Sequence, residues 1–148
     1  MIPADADVAA TAHVIQMAVA PVFLLTGVGA LLGVMTNRLS RVIDRARVLE
    51  DRWKSLDERD QADTRRELGL LAHRARLANW AINACTAAAL LVCLVIATLF
   101  ADALLGTNLR WLVESFFILT MAAIIVGLVC FWREVYLATH TLRIGPPA

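Results

Sequence analysis

Three stretches of the chain carry no Asp, Glu, Lys or Arg: residues 8–37, 80–101 and 115–132, which are 30, 22 and 18 residues long. A helix needs ~20 mostly apolar residues to cross a ~30 Å hydrocarbon layer, so the pattern predicts three membrane-spanning helices. At ~1.5 Å per residue the first would be ~45 Å long, more than one layer requires, which puts its start at the membrane surface. Pro21 falls inside it. Two readings follow: a break at Pro21 with a surface helix before it, or a single bent helix whose freed carbonyl is satisfied by neighbours or water.

Past Asn37 the apolar positions thin out and fall into a new rhythm. Leu39, Val42, Ala46, Leu49, Trp53 and Leu56 are spaced 3, 4, 3, 4, 3, and Leu68, Leu71, Ala75, Ala78 and Ile82 are spaced 3, 4, 3, 4. Both are heptad seams of a coiled coil. Residues 57–63 between them hold four acids and nothing apolar larger than Ala, as the tip of a turn should. The product expected is an antiparallel helical hairpin, with Arg41/Asp44, Asp44/Arg47 and Asp63/Arg66 at pairing distance along its helices. Residues 102–110 read as a short polar turn containing Gly106. The fold class predicted is all-α: three transmembrane helices, with a cytoplasmic antiparallel helical hairpin between spans one and two. The segments are 1–37 (outer N-terminus and first span), 38–79 (coiled-coil hairpin) and 80–148 (spans two and three with a cytoplasmic tail).

Composition agrees with this pattern: 59% of residues are hydrophobic and the mean hydropathy is +0.67. Charge then orients the chain. Eleven of the fourteen Lys and Arg lie between residues 38 and 79, Arg133 and Arg143 follow the third span, and only Arg110 lies on the other side. The positive-inside rule makes the crowded side cytoplasmic, with the N-terminus outside and the C-terminus inside. The small-x-small run Ala18-Val19-Ala20 has the form of a signal-peptide cleavage site, but Asp5 and Asp7 stand where a basic n-region would, so the segment is expected to stay. Trp80, Trp111 and Trp132 fall at predicted interfaces, where amphipathic rings prefer to sit. Net charge near zero gives no sign of a nucleic-acid partner.

No motif points to catalysis. Cys85, Cys93 and Cys130 lie within predicted spans at no metal or redox spacing, and read as small apolar filler. His13, His73 and His140 are scattered, none beside a Glu or Cys at ligand spacing. The chain has no nucleotide loop, no nucleophile elbow and no ionisable residue at a span centre of the kind ion-coupled transporters use. The expectation is a protein that is not an enzyme and takes no cofactor and no metal.

What remains is the place where the first span becomes polar. Gly29 and Gly33, four apart, allow two backbones to approach in lipid, and Ala84/Ala88 and Ala123/Gly127 repeat the spacing. Arg38, Arg41 and Arg45 follow at i, i+3 and i+7 on one helix side. The plain reading is contact with the bilayer and its anionic lipid headgroups. The sharper one is a homo-oligomer forming or gating an ion pathway lined by the first transmembrane helix. There Gly29 and Gly33 permit packing, Asn37 and Arg38 ring the inner mouth, and Arg41, Asp44 and Arg45 complete the junction. The alternative is a non-conducting adaptor whose coiled-coil hairpin binds a cytoplasmic partner.

These residues also carry a resemblance. Residues 21–47, PVFLLTGVGALLGVMTNRLSRVIDRAR, together with Glu67-Leu68, Arg74-Ala75-Arg76-Leu77 and Phe131-Trp132-Arg133-Glu134-Val135, resemble a bacterial family of small membrane proteins catalogued only as a domain of unknown function. The resemblance implies a bacterial inner-membrane location and a three-span fold. It implies no activity and no catalytic residues.

Overall fold

The computed structural model describes residues 4–53, 57–106 and 108–140, and they form three long helices: α1 (Ala4–Arg52), α2 (Glu58–Leu105) and α3 (Arg110–His140). Each is long and apolar enough to cross a membrane. The most apolar window of each helix has only 17%, 22% and 11% of its residues buried within the protein. Side chains such as Phe23, Leu90, Ile118 and Ile125 therefore lie outside any protein core. That much apolar surface requires lipid rather than water around it. The chain is a multi-pass membrane protein.

α1 is continuous through Pro21, so the single-helix reading holds and the surface helix with a break does not. Pro21 is buried, on the same side of α1 as Val28, Met35, Val42 and Leu49, each seven residues from the last. The seam read from Leu39 onward therefore starts further back, inside the apolar stretch. Leu39, Ala46 and Trp53 flank it half-buried, and Leu56 lies outside the described residues. At 49 and 48 residues, α1 and α2 are each more than 70 Å long at ~1.5 Å per residue. Their polar ends thus extend well past one hydrocarbon layer.

The expected tip at residues 57–63 is corrected. α1 ends at Arg52, α2 begins at Glu58, and the acidic run forms the opening turns of α2. Gln61 N–H already donates to the Asp57 carbonyl at 2.9 Å, and the Thr64 hydroxyl to Asp60 at 2.8 Å. Acids are stabilising in the first turn of a helix, where the backbone N–H groups carry partial positive charge, so the polar run favours a helix start there. The second turn, expected at residues 102–110, is shorter: α2 runs to Leu105 and α3 starts at Arg110. Gly106, at φ 61, ends α2 with its N–H on the Asp102 carbonyl, and the Asp102 carboxylate accepts the Leu109 N–H at 2.9 Å.

The residues fall into two compact units, Met1–Leu32 with Ala84–Ile125, and Gly33–Asn83 with Val126–Ala148. The first has an interior of small and medium side chains: Ala18, Val28, Cys85, Ala88, Val92, Val95 and Thr120. The Thr120 hydroxyl is satisfied by the Phe116 carbonyl of its own helix at 2.8 Å. The second packs Val42, Leu49 and Leu71 together, flanked by Ala46, Leu68 and Ala75, and it buries Met35, Ala78, Ala81 and Glu134. Cys85 is filler in the first unit, while Cys93 is exposed and Cys130 half-buried.

Candidate functional site

Within the second unit the arginine junction is organised by an acid that sequence reasoning passed over. Glu134, on α3, is 1% exposed. Its Oε1 accepts from Arg74 of α2 twice, from Nε at 3.2 Å and Nη2 at 2.9 Å. Its Oε2 lies 3.2 Å from Arg38 Nη2 of α1. That second contact is an ion pair by distance but is out of line for a hydrogen bond, so Oε2 is held by charge and not by a donor aimed at it. Arg38 also lies over the Phe131 ring, 5.6 Å from its centroid, a cation–π contact from the same helix as Glu134. One carboxylate thus joins all three helices.

The cause of this position is the register of α3. Its buried residues, among those described, are Thr120, Gly127 and Glu134, again seven apart. Residue 134 has to face the other helices, and two guanidinium groups keep its charge from being stranded there. Removing one partner from a buried ion pair costs far more than the pair contributes, so the three groups are interdependent. The sign available in the sequence was a lone acid seven residues after Gly127, at the end of the third apolar stretch.

The residues singled out from sequence separate into two groups. Arg38 and Arg45 turn toward other helices: Arg38 to Glu134, and Arg45 to Glu67 of α2, with Nε at 3.1 Å and Nη2 at 3.0 Å from Oε1. Gly29, Gly33, Asn37, Arg41 and Asp44 are exposed. A Cβ added at Gly29 or Gly33 would meet nothing within 4 Å, so neither glycine is needed for a close approach inside the protomer. The expected i,i+3 pairs Arg41/Asp44 and Asp44/Arg47 do not form, and all three residues are exposed; Asp63–Arg66 does form, at a loose 3.9 Å. Among the described residues, no three His, Cys, Asp or Glu side chains converge as metal ligands would.

The aromatic residues mark a level along the helices. Trp80 and Trp132 are exposed near the ends of the second and third uncharged stretches, and Tyr136 lies against Trp132 with ring centroids 6.2 Å apart. A family model described as a protein of unknown function (DUF2721) matches residues 18–144. No curated protein and no solved structure matches the chain.

Proposed function

The chain belongs to the DUF2721 family of unknown function, and on that premise we propose a homo-oligomer that forms or gates an ion pathway along its first transmembrane helix. The observation that carries this reading is the outward face of α1. Thr26, Ala30, Gly33, Asn37, Ser40 and Asp44 are all exposed and are spaced 4, 3, 4, 3, 4, with Gly29 beside them. At ~100° per residue this second heptad lies about half a turn round the helix from the buried one. Where α2 and α3 present Leu90, Leu94, Ile118 and Ile125 outward, this face of α1 from Thr26 to Asp44 presents small and polar groups, with Val22 and Phe23 exposed one turn before it and Val34 at its edge. Lipid tails have no use for such a face, whereas a second α1 does, since small residues let backbones approach closely.

The Thr26 and Ser40 hydroxyls are already bonded to Val22 and Thr36 carbonyls, at 3.2 and 3.1 Å. The Asn37 amide and the Asp44 carboxylate are left to line the inner mouth, with Arg41 on the flank. Arg38 and Arg45, engaged by Glu134 and Glu67, act in this reading as positioning residues. The polar ends of α1 and α2 form the cytoplasmic antiparallel hairpin, with the N-terminus outside a bacterial inner membrane, supported by the one-sided distribution of positive residues. No catalytic step is involved.

Native mass spectrometry of the full chain in lipid nanodiscs tests the proposal. Four or more copies, reduced by Gly33→Leu, together with ion flux into proteoliposomes that Asn37→Leu abolishes, are expected. A monomer or dimer leaves no axis to line and overturns it.

An adaptor role is the second reading, and one feature favours it. A groove of ≈ 520 Å³ between α1 and α2 is lined by Ile43, Arg47, Glu50, Leu68 and Ala72, among others. Ile43, Val48 and Leu70 are exposed in the polar region. A cytoplasmic protein cross-linked reproducibly to the intact chain and lost with Ile43→Glu is its expected signature; cross-links unchanged by that substitution count against it.

A further inference from the structure

Four guanidinium groups face one open cleft in the second unit. Its volume is ≈ 360 Å³, and it is lined by Arg38, Arg41, Arg45 and Arg74 over a floor of Val42 and Leu71. Three of these arginines come from α1; Arg74, from α2, was not part of the pattern legible in the sequence. Only two carboxylates compensate the four: Glu134 takes Arg38 and Arg74, and Glu67 takes Arg45. Arg41 has no acidic partner among the described residues and is exposed. The cleft therefore carries two positive charges in excess.

The excess is directed at a particular depth. The uncharged stretch of α1 ends at Asn37, that of α2 starts close after Arg74 and Arg76, and that of α3 ends at Trp132. Arg38 and Arg74 both contact Glu134, so these three ends are in register. Exposed Trp80, Trp132 and Tyr136 adjoin them. Apolar helix ends, indole and phenol rings, and cations at one level are the composition of a membrane–water boundary, where lipid phosphates lie. The donors have capacity to spare: Arg74 uses Nε and Nη2 on Glu134, which leaves its Nη1 group for another acceptor. A guanidinium fork matches two oxygens of a phosphate.

We propose that the Arg38–Arg41–Arg45–Arg74 cleft binds the phosphate of an anionic phospholipid headgroup, with Glu134 orienting two of the four donors. Neighbouring Val42 and Leu71 supply an apolar floor against which glycerol and the first methylenes can rest. This site does not depend on the ion pathway, since it lies within one protomer.

The test uses the full chain in phosphatidylcholine nanodiscs containing a minority of phosphatidylglycerol, with retained lipid counted by native mass spectrometry. Wild-type protein should keep phosphatidylglycerol selectively, and Arg41→Gln with Arg45→Gln should weaken retention about fivefold per arginine removed. Arg47→Gln with Arg66→Gln makes the same change in net charge away from the cleft and should retain lipid as wild type does. Equal losses in the two double variants, or no loss in the first, would overturn the site. Millimolar inorganic phosphate, added in a separate arm, should leave phosphatidylglycerol in place; its displacement would overturn the lipid assignment in favour of a soluble phosphate. All four substituted residues, Arg41, Arg45, Arg47 and Arg66, are exposed, so circular dichroism should show the variants folded.

Discussion

The two packing units solve the same problem, holding three helices together, by opposite means. In the unit of Met1–Leu32 and Ala84–Ile125 the large side chains point out and the small ones point in: Ala88 and Cys85 are buried while Leu90, Phe117 and Ile118 are exposed. Polar contacts such as Thr120 to Phe116 and Leu109 to Asp102 stay within one helix or one turn. Lipid tails are as apolar as leucine, so exposing Leu there carries no cost, and close packing of small residues is what favours association. In the unit of Gly33–Asn83 and Val126–Ala148 larger side chains also go inside, although Ile43, Val48 and Leu70 stay exposed. Val42, Leu49 and Leu71 are inside, and charges link different helices: Arg38 and Arg74 to Glu134, and Arg45 to Glu67. There the hydrophobic effect and ion pairs both act. The lesson is that one heptad register can be filled by two chemistries, according to the solvent each part meets.

The comparison breaks most sharply at Glu134. Glu134→Ala leaves Arg38 and Arg74 without their shared counter-ion, and should cost about 3–5 kcal/mol, or less as water reaches the half-exposed Arg38. Unfolding in mixed detergent–dodecyl sulfate micelles reads the loss. A cost under 1 kcal/mol would mean the clamp is incidental. Leu71→Ala, in the conventional core, should follow at about 2–4 kcal/mol by the same assay, from lost burial and the cavity left behind. Ala88→Leu probes the other unit. Ala88 is fully buried in a tight interior, so the larger side chain should destabilise by about 1–3 kcal/mol. If Ala88→Leu stabilised instead, the small-residue account of that unit would be wrong. The smallest effect belongs to Glu67→Gln. Its exposed pair with Arg45 should contribute about 0.2–1 kcal/mol, and the difference from wild type should vanish in high salt.

Much of this was legible along the chain. The lengths of the uncharged stretches predicted three spans, because a bilayer demands a run of apolar residues that nothing else in the sequence can supply. The 3,4 spacing of Leu39, Val42, Ala46 and Leu49, and of Leu68, Leu71, Ala75 and Ala78, foretold which sides would pack, because side chains three and four apart share one helix face. The turn at Gly106 followed from its residue types. The acidic run at 57–63 misled for a local reason: the same acids that favour a turn also favour the first turn of a helix, and the helix took them.

Tertiary structure decided the rest. Sequence spacing grouped Arg38, Arg41 and Arg45 as one patch; only packing could add Arg74 to it and set Glu134 against Arg38 and Arg74, because Glu134 is 96 residues from Arg38 and 60 from Arg74 along the chain. Likewise a glycine pair has the same spacing whether it faces its own protomer or the outside. The open space around Gly29 and Gly33 is a property of where α2 and α3 lie, not of the residues themselves. Periodicity determined each helix and its preferred face, since these are local matters of side-chain direction. Which charges meet, and which faces stay uncovered, depended on helices brought together from distant parts of the chain.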